Sequence, residues 1–330
     1  MITKIRIQNF RSFVDAEVKL RPFSLVVGAN GSGKSNLLSA FSSASDNYSL
    51  VYERNKGLIR LGQTTDLNNK HVNYPDTSTI FEAELQDGRN YRAETPDISK
   101  STNWNIGPVG LFVVKADRVS APEFVIFNAD VKADGSGTAQ VLESLKNGDR
   151  EDLFDKIEEA FKRYVPEVEK LSLRTVEQGK KQIQVREKGL KELLPATELS
   201  EGTRIILCLL TILHQENPPP IILLEDIDRG LHPRLFEYMV PIMRDIAERH
   251  GINILATTHN PYLVDCFQDD KEAVIIVEKK DGASTLTTLA DRLKEIDYDS
   301  VDPEDLPLGS LWFTGHVGGV PAKINLHPGK

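Results

Sequence analysis

Residues 23–41 read FSLVVGANGSGKSNLLSAF: a mostly apolar run, a glycine-rich turn, then apolar residues at helical spacing. That is the pattern of a buried strand, a tight loop and a helix. Within it, Gly28-Ala29-Asn30-Gly31-Ser32-Gly33-Lys34-Ser35 satisfies G-x-x-x-x-G-K-[ST] at every position, in the strand–loop–helix setting the pattern requires. The glycines let successive backbone N–H groups curl around a phosphate, and the helix N-terminus adds positive potential. Lys34 then reaches the β and γ phosphates of a nucleoside triphosphate, and Ser35 can ligate Mg²⁺. The phosphate site is therefore placed at Asn30, Gly31, Ser32, Gly33, Lys34 and Ser35, with Asn36 adjoining.

Three further segments fit the same chemistry. PPPIILLED (218–226) is a buried strand ending in Glu225-Asp226, at the carboxyl edge where open α/β sheets bind ligands. One carboxylate can hold Mg²⁺ through water. Strand alternation sends the other to the opposite side, toward a water in line with a γ-phosphate. LSEGT (199–203) precedes the apolar helix 204–213, with Ser200 as a natural N-cap. Ser200 and Gly202 at that helix start can equally present N–H donors to a phosphate, including one bound by a second subunit. INILATTH (252–259) brings His259 to the same sheet edge, where an imidazole can donate to a γ-phosphate.

Elsewhere, KIRIQNF and EVKL alternate as strands. FEAELQDGRNYRAE reads as a hairpin turning at Asp87-Gly88, and LSLRTV with KQIQVRE as another turning at Gln178-Gly179. TTDLNNKHVNYPDTST (64–79) reads as an exposed loop, and LFDKIEEAFKRYV places Leu153, Ile157, Ala160, Phe161 and Tyr164 on one helix face. LFEYMVPIMRDIAERHG is helical up to Gly251, with Pro241 inside it, and EAVIIVEKK is a further buried strand. Strands alternating with helices predict a mostly parallel sheet covered on both faces.

Composition sets the outer limits. Hydrophobic residues at 40% and charged at 27% exclude a disordered or collagenous chain. The longest apolar run, Ile205 to Leu213, is far short of the roughly 20 residues that cross a bilayer, and charges at Lys4, Arg6 and Arg11 oppose an export signal. No membrane association and a cytoplasmic location are the expectation. Cys208 and Cys266 read as buried free thiols. The 49 acidic against 40 basic side chains give −9, which argues against coating nucleic acid through overall charge. Residues 1–60 nevertheless carry nine basic and four acidic side chains, and Lys180, Lys181, Arg186, Lys188 and Lys191 form the most basic short run. Either is a candidate local DNA contact, weak and independent of sequence. The stretch 291–307, DRLKEIDYDSVDPEDLP, is strongly acidic.

The order phosphate loop, LSEGT, IILLED, TTHNP resembles that of the ABC-type ATPases. IQNFRSF before the loop and GLHP after the acidic pair look like the branch containing RecF and the structural-maintenance-of-chromosomes (SMC) proteins. Within it the chain is most similar to the short AAA-type, overcoming-lysogeny-like ATPases without long coiled coils or a nuclease domain. The resemblance implies a P-loop NTPase head: a mostly parallel sheet covered by helices, an antiparallel β subdomain and an inserted α+β lobe. The expected head spans 1–280, with its core at 1–45 and 195–280 and the lobe at 46–194, followed by a tail at 281–330. It further implies ATP and Mg²⁺ as ligands, Glu225 as the Mg²⁺-coordinating acid, Asp226 as catalytic base and His259 as switch histidine. Arg11 and Ser12 are implied to touch the nucleotide, and Ser200 and Gly202 to contact the γ-phosphate of a partner subunit. The chain departs from the family in its Glu-Asp order, in Ile227 where proline is usual, and in showing no placeable Q-loop glutamine. His232 in GLHP reads as pinning its loop.

Two functions from different classes follow. The first is an ATP-hydrolysing switch that forms a head-to-head homodimer around ATP, in DNA maintenance, repair or antiviral defence. The second is an ATP-gated module with little turnover that restrains a protein effector such as a toxin or nuclease. A GTPase would need N-K-x-D, and Asn69-Lys70-His71-Val72 lacks the aspartate. A transporter subunit is disfavoured by the IQNFRSF element.

Overall fold

The computed structural model describes residues 1–44, 79–95, 108–126, 129–296 and 306–321. In chain order its elements are β1 (Ile2–Phe10), β2 (Phe13–Lys19), β3 (Phe23–Val27), α1 (Lys34–Ser43), β4 (Thr79–Leu85), β5 (Asn90–Thr95), β6 (Val109–Phe112), α2 (Ala116–Ser120), α3 (Thr138–Asn147), α4 (Glu151–Tyr164) and β7 (Val168–Thr175). There follow β8 (Lys181–Glu187), β9 (Leu194–Pro195), α5 (Glu201–His214), β10 (Ile221–Leu224), α6 (Phe236–His250), β11 (Asn253–Thr257), α7 (Pro261–Asp265), β12 (Val274–Lys280), β13 (Ala283–Thr288), α8 (Leu289–Lys294) and α9 (Leu308–Phe313).

The central sheet has the order β13-β12-β3-β11-β10-β6. All its pairings are parallel except β12 with β13. Strands β3, β10 and β11 are buried along their whole length, which is why their sequences run apolar instead of alternating. The pleat still sorts them. Phe23, Leu25, Val27, Ile222, Leu224, Ile254 and Ala256 join one core with the helices. Val26, Ile221, Leu223 and Leu255 join a second core with α1 and the antiparallel sheet. No helix among the described residues is long and apolar enough to cross a membrane.

The antiparallel sheet, β2-β1-β4-β5, buries Ile5, Ile7, Phe10, Phe13 and Phe81 against α1 and the central sheet. Asn253 stitches the two sheets, accepting from Ile2 N–H at 2.7 Å and donating to Ile2 C=O at 2.9 Å. Its outer face is a charge ladder: Lys4 pairs with Glu17 at 2.7 Å and Glu84 at 3.6 Å, Arg6 with Asp15 at 2.7 Å, and Arg92 with Glu82. Arg21 pairs with Asp270 and Glu272. The basic excess of the N-terminal stretch therefore does not form a basic face among the described residues.

A third sheet, β7-β8-β9, packs with α3 and α4. Helix α4 buries Leu153, Phe154, Ile157, Phe161 and Tyr164, and the β7–β8 turn uses the left-handed Gln178 and Gly179 (φ 59° and 77°). The architecture is thus the α/β head expected, with the elements distributed differently at three places. Residues 109–112, inside the stretch read as lobe, form the edge strand β6 of the central sheet, and β4–β5 extend the sheet begun by β1. Sequence distance hid both, because each strand pairs with a partner far along the chain. Residues 283–288, read as tail, form β13 on β12. Residues 64–78 of the loop read at 64–79, the Asn69–Val72 segment and residues 297–305 of the acidic stretch lie outside the described residues; Thr79 begins β4.

Candidate functional site

Strand β3 delivers the phosphate loop to the carboxyl edge of the central sheet. A side chain at Gly33 (φ +120°) would place Cβ 2.6 Å from Ser284 Oγ and 3.1 Å from Ser12 Oγ, so glycine is required there. Lys34 is buried; its Nζ donates to the carbonyls of Gly28 at 2.7 Å and Ala29 at 3.0 Å. Burial pushes the ammonium below its ordinary value, while Asp226 and Glu225 oppose that shift. Ser32 Oγ is buried and has no hydrogen-bond partner among the described residues. Asn30 and Gly31 form the exposed rim.

Arg11, left-handed at φ 51°, reaches along the first turn of α1. Its guanidinium donates to Asn36 Oδ1 at 3.3 Å and Ser39 Oγ at 3.0 Å. Asn36 Nδ2 in turn donates to the buried Ser12 Oγ at 2.8 Å. The β1–β2 turn is thereby fastened to the helix that carries Lys34 and Ser35.

Across the sheet, Ser35 Oγ donates to Glu225 Oε1 at 2.5 Å. Asp226 follows in the left-handed region, φ 51°. The pleat ends at Leu224, so alternation along a strand does not separate the two carboxylates, as the sequence reading supposed; the left-handed turn at Asp226 does. That turn is fixed from β11: Asp226 N–H donates to Thr257 Oγ1 at 2.9 Å and Ile227 N–H to Thr257 C=O at 3.1 Å. Thr258 Oγ1 donates to Asp228 Oδ1 at 2.6 Å. His259 is exposed beside this tie; partial burial and the Lys34 charge push its imidazole below the ordinary value, against Asp226 and Asp228. The structure thus gathers Lys34, Ser35, Glu225, Asp226 and His259 at one edge. A cavity of about 20 Å³, lined in part by Phe112, Leu224, Glu225 and Asp226, adjoins the pair.

Ser200 and Gly202 lie at the start of α5. Ser200 Oγ caps α5, accepting from Thr203 N–H at 3.1 Å. A side chain on Gly202 would meet the Gly230 carbonyl at 2.6 Å, so the start of α5 rests on the loop after the acidic pair. Among the described residues no hydrogen bond joins Ser200 or Gly202 to the phosphate loop. His232 Nδ1 accepts from Arg234 N–H at 3.3 Å, within its own loop.

Two residues were missed in the sequence. Thr257 had a weak signal in the TTH doublet, whereas Ser284, which contacts the phosphate loop, had none because its contact depends on the β12–β13 return. The basic run also changes meaning. Lys181 pairs with Glu143 at 2.5 Å, Arg186 with Glu169 at 3.1 Å, and Lys180 lies over the Phe124 ring at 5.1 Å. Only Lys188 and Lys191 project as fully exposed cations of that run.

Two family models match adjoining parts of the chain: an AAA ATPase domain over residues 1–102, and an AAA domain described as putative AbiEii toxin, type IV TA system, over residues 117–265. Among curated proteins no sequence matches. Among solved structures, an SMC head bound to the C-winged helix domain of ScpA aligns with TM-score 0.53 at 16% identity, covering 87% of this chain and 97% of that one. The Pyrococcus furiosus Smc head with an extended coiled coil, bound to the C-terminal domain of ScpA, aligns with TM-score 0.50 at 15% identity over 89% and 98%. At such identity the likeness is one of fold, the fold of SMC heads.

Proposed function

We propose, for a chain that matches AAA family models over residues 1–102 and 117–265 and shares the fold of SMC heads, that it binds Mg·ATP at the phosphate loop, closes head to head around it, and hydrolyses it to reset. The observation that carries this reading is the convergence of Lys34, Ser35, Glu225, Asp226 and His259 on one sheet edge.

The residues fit the ligands. The buried, unpartnered Ser32 Oγ and the carbonyl-bound Lys34 Nζ are donors that phosphate oxygens satisfy. Ser35 and Glu225, already in contact at 2.5 Å, offer the hard oxygen donors that suit Mg²⁺. When bound, Mg²⁺ neutralises charge on the β and γ phosphates. Asp226 accepts the proton of the attacking water, and its position is fixed by Thr257. His259, neutral near pH 7 because its pKa is lowered, donates to the γ-phosphate. Arg11, Ser12 and Asn36 brace the nucleotide side of α1. Ser200 and Gly202, which share no hydrogen bond with their own phosphate loop among the described residues, serve the γ-phosphate of a second copy.

The biological setting in this reading is DNA maintenance, repair or antiviral defence, acting through a protein effector. Ion pairing across the N-terminal sheet and the basic run leaves DNA contact with little support from charge. The second reading, an ATP-gated restraint on an effector with little turnover, is favoured by Asp226, one methylene shorter than the usual glutamate. Calorimetry with Mg·ATP and steady-state phosphate release test the proposal together. Lys34→Ala should weaken binding roughly a hundredfold, as losing about 3 kcal/mol of charged hydrogen bonding implies. Unchanged affinity in that variant overturns the phosphate-loop assignment. Tight binding without phosphate release selects the second reading.

A further inference from the structure

We infer that Ser284 is a positioning residue for the nucleotide phosphates, acting on the phosphate loop from the β12–β13 hairpin; this rests on the ATP-binding reading above. Ser284 is 2% exposed and sits one residue into β13, after the left-handed turn Asp281-Gly282 (φ 51° and 85°). Its N–H donates to Ser12 C=O at 2.7 Å and its Oγ donates to Ser32 C=O at 2.5 Å. One side chain thus ties the hairpin to the phosphate loop, while its backbone ties the hairpin to the β1–β2 turn.

The second bond decides an orientation. The chain has no cis peptide among the described residues, and in a planar trans peptide the C=O and the following N–H point to opposite sides. Holding Ser32 C=O toward β13 therefore turns Gly33 N–H away from β13. No protein atom among the described residues accepts from that N–H. A free, oriented N–H at the mouth of a helix is what a phosphate oxygen needs. Gly33 cannot carry a side chain because Ser284 Oγ occupies the space. The glycine and the serine are thus complementary parts of one device.

Without the hydroxyl, the Ser32–Gly33 peptide loses its anchor and the N–H must be reoriented each time phosphate binds. The test measures ATP and ADP dissociation constants, and KM with kcat, for Ser284→Ala, Ser284→Thr and the neighbouring Thr285→Ala, whose side chain is exposed on the same strand. Ser284→Ala should weaken ATP and ADP alike by about tenfold, the factor that one hydrogen bond of about 1.4 kcal/mol supplies. KM should rise with kcat nearly unchanged. Ser284→Thr, which keeps the hydroxyl, should recover most of the affinity, and Thr285→Ala should retain all of it. Native affinity in Ser284→Ala, or an equal loss in Thr285→Ala, overturns the inference while leaving the phosphate loop assigned. A native protein that binds neither nucleotide removes both readings at once.

Discussion

Lys34 in this structure rests its ammonium on two main-chain carbonyls, and its charge acts on His259 as well as on any phosphate. Lys34 and burial both push the imidazole down, while Asp226 and Asp228 pull it up. In the nucleotide-free protein His259 should therefore titrate below the ordinary 6.5, remaining neutral until the pH falls under that value. The sign is testable by following its ring protons by NMR. Lys34→Ala should move the midpoint upward and Asp226→Asn should move it downward; no movement in either would show that His259 lies outside the cluster. Because the folded-state value is depressed, the stability that the neutral ring contributes is intact above about pH 6.5 and fades as pH falls through the folded value. At this scale the strand–loop–helix that carries Lys34 and Ser35 was legible, since its residues are contiguous and each has a local reason. Thr257 and Ser284 were not, because what they do depends on strands meeting far from where they stand in the chain.

Among the elements, α5 carries two readings that one substitution can separate. Ser200 caps the helix through Thr203 N–H, worth about 1 kcal/mol, and it is also the residue proposed to meet a partner's phosphate. Ser200→Asp keeps an N-cap acceptor and favours the helix dipole, but sets a carboxylate against the phosphate. Thermal unfolding should stay near native in Ser200→Asp, while dimerisation with ATP is lost. A variant that is stable and still dimerises would leave Ser200 as a cap alone. The sequence showed α5, its cap and its apolar length without ambiguity. It did not show why Gly202 is glycine, which follows from the Gly230 carbonyl packed beneath it. The hairpin basic run was legible as charge, yet its meaning reversed once Glu143 and Glu169 were seen opposite Lys181 and Arg186.

At the scale of the molecule, two apolar cores on either side of one sheet hold the phosphate loop, the acidic pair and His259 rigidly at its carboxyl edge. Ser200, which caps α5, is exposed. In the proposed reading Ser200 and Gly202 complete the phosphate site of a second copy, and this is the central claim. Asp226→Asn is the suitable trap, because asparagine tolerates the left-handed backbone at φ 51° while losing the base. The measurement is the mass in solution of that variant by light scattering, with and without Mg·ATP at micromolar protein. The account expects the 36.9 kDa chain alone without nucleotide, twice that mass with Mg·ATP, and no doubling when Ser200→Arg is added. A particle that stays monomeric with saturating Mg·ATP, or that doubles despite Ser200→Arg, contradicts it.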